Sequence, residues 1–61
     1  MTKKQFRKKA AIARKFGMAF LGNGAKLYYE KGDAHPWSIL DRYGVTVDIA
    51  ETPDKLEYLF D

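Results

Sequence analysis

Cysteine is absent from the 61-residue chain, and histidine occurs once, at His35. Without thiols there is neither a disulfide framework nor a thiolate zinc site, the two usual staples of very small domains. A packed core or self-association must therefore carry the fold. One His among scattered carboxylates supplies no metal ligand set. Ser38 lies near His35 without an evident oxyanion arrangement, and Asp33, Asp41, Asp48 and Asp54 form no close acidic pair. These absences argue against an enzyme and leave no catalytic residue, metal or cofactor to assign. Long apolar runs are missing as well. The stretch after Lys15, Phe16-Gly17-Met18-Ala19-Phe20-Leu21, is shorter than a signal-peptide core and far short of a membrane span. Ser, common in presequences, does not occur before Ser38. The chain reads as mature, soluble and intracellular, with the cytoplasm as the expected compartment.

What is present suits one small globular domain over residues 1–61. Hydrophobic residues make up 46%, aromatics 15% and charged residues 31%, enough apolar material to bury a core. A domain of this size buries only about 60% of the surface its unfolded chain exposes, so its stability is modest.

Charge is distributed unevenly. Residues 1–21 hold Lys3, Lys4, Arg7, Lys8, Lys9, Arg14 and Lys15 with no acid, whereas residues 22–61 hold four cations against eight carboxylates. The net charge of +3 thus conceals a +7 segment followed by a −4 segment. Such asymmetry points to an anionic partner for the basic half, unless the acidic half neutralises it internally.

Residues 3–21 read as one long helix, with Thr2 as N-cap and mainly good helix formers after it. At about 100° per residue, Phe6, Ala10, Ile12, Ala13, Phe16, Ala19 and Phe20 share an apolar arc opposite most of the Lys and Arg. Lys9 falls on the apolar side, where its stem can lie along the core. Gly17 marks a close contact or bend, and Gly22-Asn23-Gly24 ends the helix and turns the chain. A phosphate-binding loop is excluded there, because such a loop follows a strand and opens a helix. Ala25–Lys31 reads as a strand with Leu27 and Tyr29 on one face and Lys26, Tyr28 and Glu30 on the other. Pro36 suits the start of a short helix to Tyr43, with Trp37, Leu40 and Tyr43 inward and Gly44 after its end. Val45–Ala50 reads as a strand with Val45, Val47 and Ile49 alternating against Thr46 and Asp48. Thr52-Pro53-Asp54 favours a final short helix burying Leu56, Leu59 and Phe60, over a hairpin return. The expected fold is α+β, an N-terminal amphipathic helix packed on a small two- or three-stranded sheet with short helical turns.

The basic helix face carries the functional expectation. An exposed helix built for stability mixes signs to gain i,i+4 pairs and places acids at its N-terminus, and this one does neither. Clustering of that kind fits an external anion, and phosphate backbones are the commonest. Lys4, Arg7, Lys8, Arg14 and Lys15 are the expected nucleic-acid contacts, made mostly to phosphate and so with low sequence specificity. A rival is a small inhibitor or modulator, of the type mobile elements encode, docking on a larger nucleic-acid-associated protein, with filling of its groove as one mode. Tyr28, Tyr29, Trp37 and Tyr43 are then the interface anchors, since aromatics dominate interface energetics. A structural homodimer is the third reading. Laying the helix on a membrane surface is disfavoured, because it would strip the core of its aromatics.

Overall fold

The computed structural model describes residues 1–61. The elements are α1 (Lys3–Phe16), β1 (Met18–Phe20), a 3₁₀ turn (Gly22–Gly24), β2 (Lys26–Tyr29), β3 (Trp37–Leu40), β4 (Thr46–Ala50) and a C-terminal 3₁₀ segment (Pro53–Leu59). The strands form a four-stranded antiparallel meander in the order β1-β2-β3-β4. Helix α1 packs on β1 and β2, and the 3₁₀ segment packs on β4 and α1. The fold is α+β as the sequence suggests, with four strands where two or three were expected.

Thr2 caps α1 as expected. Its hydroxyl accepts the Gln5 N–H at 3.2 Å, while the Gln5 side chain accepts the Thr2 N–H at 2.8 Å, so two otherwise orphaned donors are satisfied. A third, the Lys3 N–H, donates to the Asp61 carbonyl at 2.9 Å and ties the two chain ends together. The helix does not run to Leu21. Gly17 adopts a left-handed conformation, φ 91°, and its N–H closes on the Ala13 carbonyl. Residues 18–20 then leave as β1, pairing Met18 with Tyr28, Ala19 with Leu27 and Phe20 with Lys26.

The expected helix from Pro36 to Tyr43 is instead β3 and a hairpin turn. Trp37 pairs with Tyr29 and with Ala50, placing β3 between β2 and β4. The turn is organised by Asp41, whose carboxylate accepts the N–H groups of Tyr43 and Val45 at 2.8 and 3.0 Å. Gly44, at φ 81°, follows in the left-handed region. A glycine there closes a hairpin as readily as it ends a helix, and the Asp41 side chain selects the hairpin.

The core lies between α1 and one face of the sheet. Phe6, Ala10 and Ala13 meet Ala19, Leu27, Trp37, Ile39 and Ala50, with Leu21 and Leu56 closing the margins. Phe60 stacks on Phe6 at 4.7 Å between centroids. The contact stripe of α1 is narrower than its periodicity suggests. Two alanines let the helix sit close to the sheet, and Ile12 and Phe16, at the edge of the arc, are left exposed. Phe20 is exposed too, because on a strand it points to the face opposite Ala19. Lys9 is half-buried, as expected.

Strand β4 is turned over relative to the expected facing. Ala50 is buried and Asp48 half-buried, whereas Val45, Val47 and Ile49 are exposed. Asp48 is tolerated on the inner side because the Tyr58 hydroxyl donates to its carboxylate. The final segment is helical as favoured, in 3₁₀ form. Pro53 begins it and Leu56 is buried, though Thr52 makes no side-chain cap bond.

Candidate nucleic-acid interface

Positions 4, 8 and 15 fall on one line along a helix, and Lys4, Lys8 and Lys15 are all exposed on the side of α1 away from the sheet. With a rise of about 1.5 Å per residue, this line extends roughly 16 Å, long enough to lie along several phosphates. Arg14 and Lys15 sit in the last turn, where cations complement the helix dipole. The first turn itself has no acid, and the charge that acts on Lys3 there is the Glu57 carboxylate of the 3₁₀ segment.

The two arginines are placed differently from the lysines. Arg7 and Arg14 line a groove of about 530 Å³ between α1 and the 3₁₀ segment, shared with Asp54 and Glu57. The Arg7 guanidinium donates through Nε and Nη2 to the two Glu57 carboxylate oxygens at 3.1 and 2.8 Å. This fork holds the Glu57 carboxyl below its usual value and raises Arg7. The Arg14 guanidinium lies over the Trp37 ring, 5.4 Å from its centroid, which leaves its N–H groups free. Among the seven N-terminal cations, Arg7 alone forms an ion pair. The molecule's other ion pair joins Lys55 to Glu51. The acidic half therefore does not quench the basic one. The structure brings Lys4, Lys8 and Lys15 together, keeps Arg14 at their flank and ties Arg7 to a partner.

The aromatic anchors separate. Trp37 is 2% exposed beneath Arg14 and presents no surface to a partner. Tyr29 packs on it at 4.6 Å between centroids and is half-buried. Tyr28 is half-buried on the opposite sheet face. Tyr43, expected inward, is 77% exposed at the tip of the β3–β4 turn with Arg42 over its ring. Sequence reasoning missed the outer sheet face, where Met18, Phe20, Leu40 and Ile49 join Tyr28. The alternation of Met18-Ala19-Phe20 carries that signal, but a helical reading of the segment hides it. No group of His, Asp or Glu side chains converges as a metal site, and no helix is long and apolar enough to cross a membrane. The chain matches no protein-family model, no curated protein and no solved structure.

Proposed function

We propose that the protein is a non-enzymatic binding module that engages nucleic acid through its phosphate backbone with low sequence specificity. Lys4, Lys8 and Lys15 lead the contact and Arg14 supports it from the flank. The observation that carries this reading is the exposed line of lysines on α1 with no carboxylate paired to any of them. A single cationic ridge on a narrow helix suits phosphates. Base reading asks for paired hydrogen bonds from Arg, Asn or Gln, and those are scarce on the exposed ridge. The reading is tested by measuring affinity for mixed-sequence DNA and RNA as a function of salt. Four cations displacing counterions give a log–log slope of about −3 to −4, at about −0.9 per phosphate. Replacing Arg14 and Lys15 by Gln removes roughly half of that slope. Absence of binding at low salt would overturn the proposal. Persistence of a captured partner after nuclease treatment would instead favour docking on a nucleic-acid-associated protein.

A further inference from the structure

The sheet face turned away from α1 has no covering layer. Cross-strand pairing lines up Met18, Tyr28, Ser38 and Ile49 in one row, and Phe20, Lys26, Leu40 and Thr46 in the next. A bulge leaves Val47 without a cross-strand partner beside them. Phe20, Val47 and Ile49 are each at least half exposed, at 62%, 50% and 51%. An antiparallel sheet with one solvated face ordinarily makes that face polar. In these two rows the polar members are Lys26, Ser38 and Thr46, and no carboxylate is among them. A contiguous apolar surface of this kind marks an interaction site.

We propose that this face packs against the same face of a second copy, forming a two-sheet sandwich with α1 on each outer side. Its charge pattern favours that occupant. With Lys26 as the single charge of these two rows and Glu30 past their end, just beyond β2, the face meets its own image with little repulsion, whereas a polyanion would find one cation there and a carboxylate beside it. Its size sets the strength of the contact. Strands about 4.8 Å apart and about 3.3 Å of rise per residue make the four-stranded face roughly 19 by 13 Å. Two such faces, about 250 Å² each in outline, bury roughly 500–1,000 Å² once side-chain relief is added, which is the range of weak, transient interfaces and not of stable ones. The dimer is accordingly weak and concentration-dependent. Of the two sheet edges, β1 is only three residues long and so a poor template for pairing, and pairing along β4 is obstructed. Asp48 occupies the Ile49 N–H at 2.8 Å, and a charged side chain on the inner face of an edge strand discourages edge pairing. A sandwich carries its two lysine ridges on opposite outer surfaces and so bridges two nucleic-acid segments. That consequence rests on the function proposed above; the dimer itself does not.

Sedimentation of the nucleic-acid-free chain from micromolar to millimolar concentration tests the dimer. The expected mass rises from 7.0 kDa towards twice that value, and added salt strengthens the association, opposite to its effect on phosphate binding. Phe20→Ser and Ile49→Glu each move the midpoint to at least about tenfold higher concentration, as expected when an anchor is lost from a small interface. Lys8→Gln, on the far side, leaves it unchanged. Circular dichroism shows whether each variant keeps its helix. If one does not, concentration-dependent methyl shifts of the unaltered chain at Met18, Leu40, Val47 and Ile49 identify the face without substitution. A mass fixed at 7.0 kDa at millimolar concentration overturns the proposal. So do shifts confined to α1 or to the outer edge of β4, and so does a monomer whose face methyls respond to oligothymidine, which would make the face a platform for bases.

Discussion

Arg7 and Lys8 are sequence neighbours of the same sign, yet the fold gives them different work. Arg7 is held by Glu57 from fifty positions away, while Lys8 points outward with no acidic partner. A count of cations reveals neither fact, because the carboxylate that selects between them is brought in by the tertiary fold. If phosphate binding follows the unpaired charges, Lys8→Gln lowers the salt slope by about 0.9, and Arg7→Gln lowers it by less. Glu57→Gln acts in the opposite sense. It releases the Arg7 fork and removes a nearby negative charge, so affinity for mixed DNA rises and the slope steepens. Binding titrations of these three variants across a salt series check the ordering. Equal losses for Arg7→Gln and Lys8→Gln would mean that the ion pair opens when nucleic acid binds.

The secondary structure was legible where local chemistry and tertiary pairing agree. The start of α1 is set by Thr2 and Gln5, β2 and β4 by alternation, and the final helical segment by Pro53 and the apolar spacing behind it. Reading failed at β1 and β3, for related reasons. Phe16–Leu21 is apolar at both the helical and the strand period, and a short run of that kind is decided by what it pairs with. Trp37-Ser38-Ile39-Leu40 follows a proline and precedes a glycine, the punctuation of a short helix, while its buried residues alternate. The element that resolves the first ambiguity is Gly17. A Cβ built there meets nothing closer than the Tyr29 carbonyl at 3.9 Å, so space is not what demands glycine; φ 91° is. Gly17→Ala therefore destabilises the fold by about 1–2 kcal/mol, the cost of a left-handed alanine. Gly22→Ala, with φ outside the left-handed region and open space around its Cβ, stays within about 0.5 kcal/mol of the parent, like a typical surface change. Urea midpoints of the two variants give the comparison. A neutral Gly17→Ala would show that the α1–β1 junction is soft enough to adopt another backbone path. The candidate site was legible in proportion: the cationic ridge appears in the sequence, whereas the outer sheet face depends on β1 and β3 being strands.

Across the whole molecule, the C-terminal 3₁₀ segment closes the open side of the core, and two carboxylates help to hold it. Glu57 reaches to Arg7 on α1, and Tyr58 donates to Asp48 on β4, while Leu56 between them is fully buried. Both carboxyls are held below their ordinary values of 4.5 and 3.8, Glu57 chiefly by the Arg7 hydrogen bond and Asp48 chiefly by the Tyr58 hydroxyl. A carboxyl with a lower value in the folded state contributes its stability in full above its ordinary value. It loses that contribution as pH falls through the lowered one, because the unfolded chain takes up the proton first. The stability these two groups contribute is therefore flat near neutrality and declines as pH drops past 4.5 and then 3.8. Tyr58 has the opposite sign. Its proton is held more tightly in the folded state, so its contribution is present below its ordinary value of 10.0 and fades as pH rises through the raised one. Urea midpoints from pH 7 down to about 3 test the acid limb, which spans the ordinary carboxyl range. The parent chain falls more steeply than the Asp48→Asn, Glu57→Gln double variant, whose remaining slope reports the other carboxylates. Parallel curves for the two proteins would remove these contacts from the acid sensitivity and leave the apolar packing of Leu56 and Phe60 as the clasp.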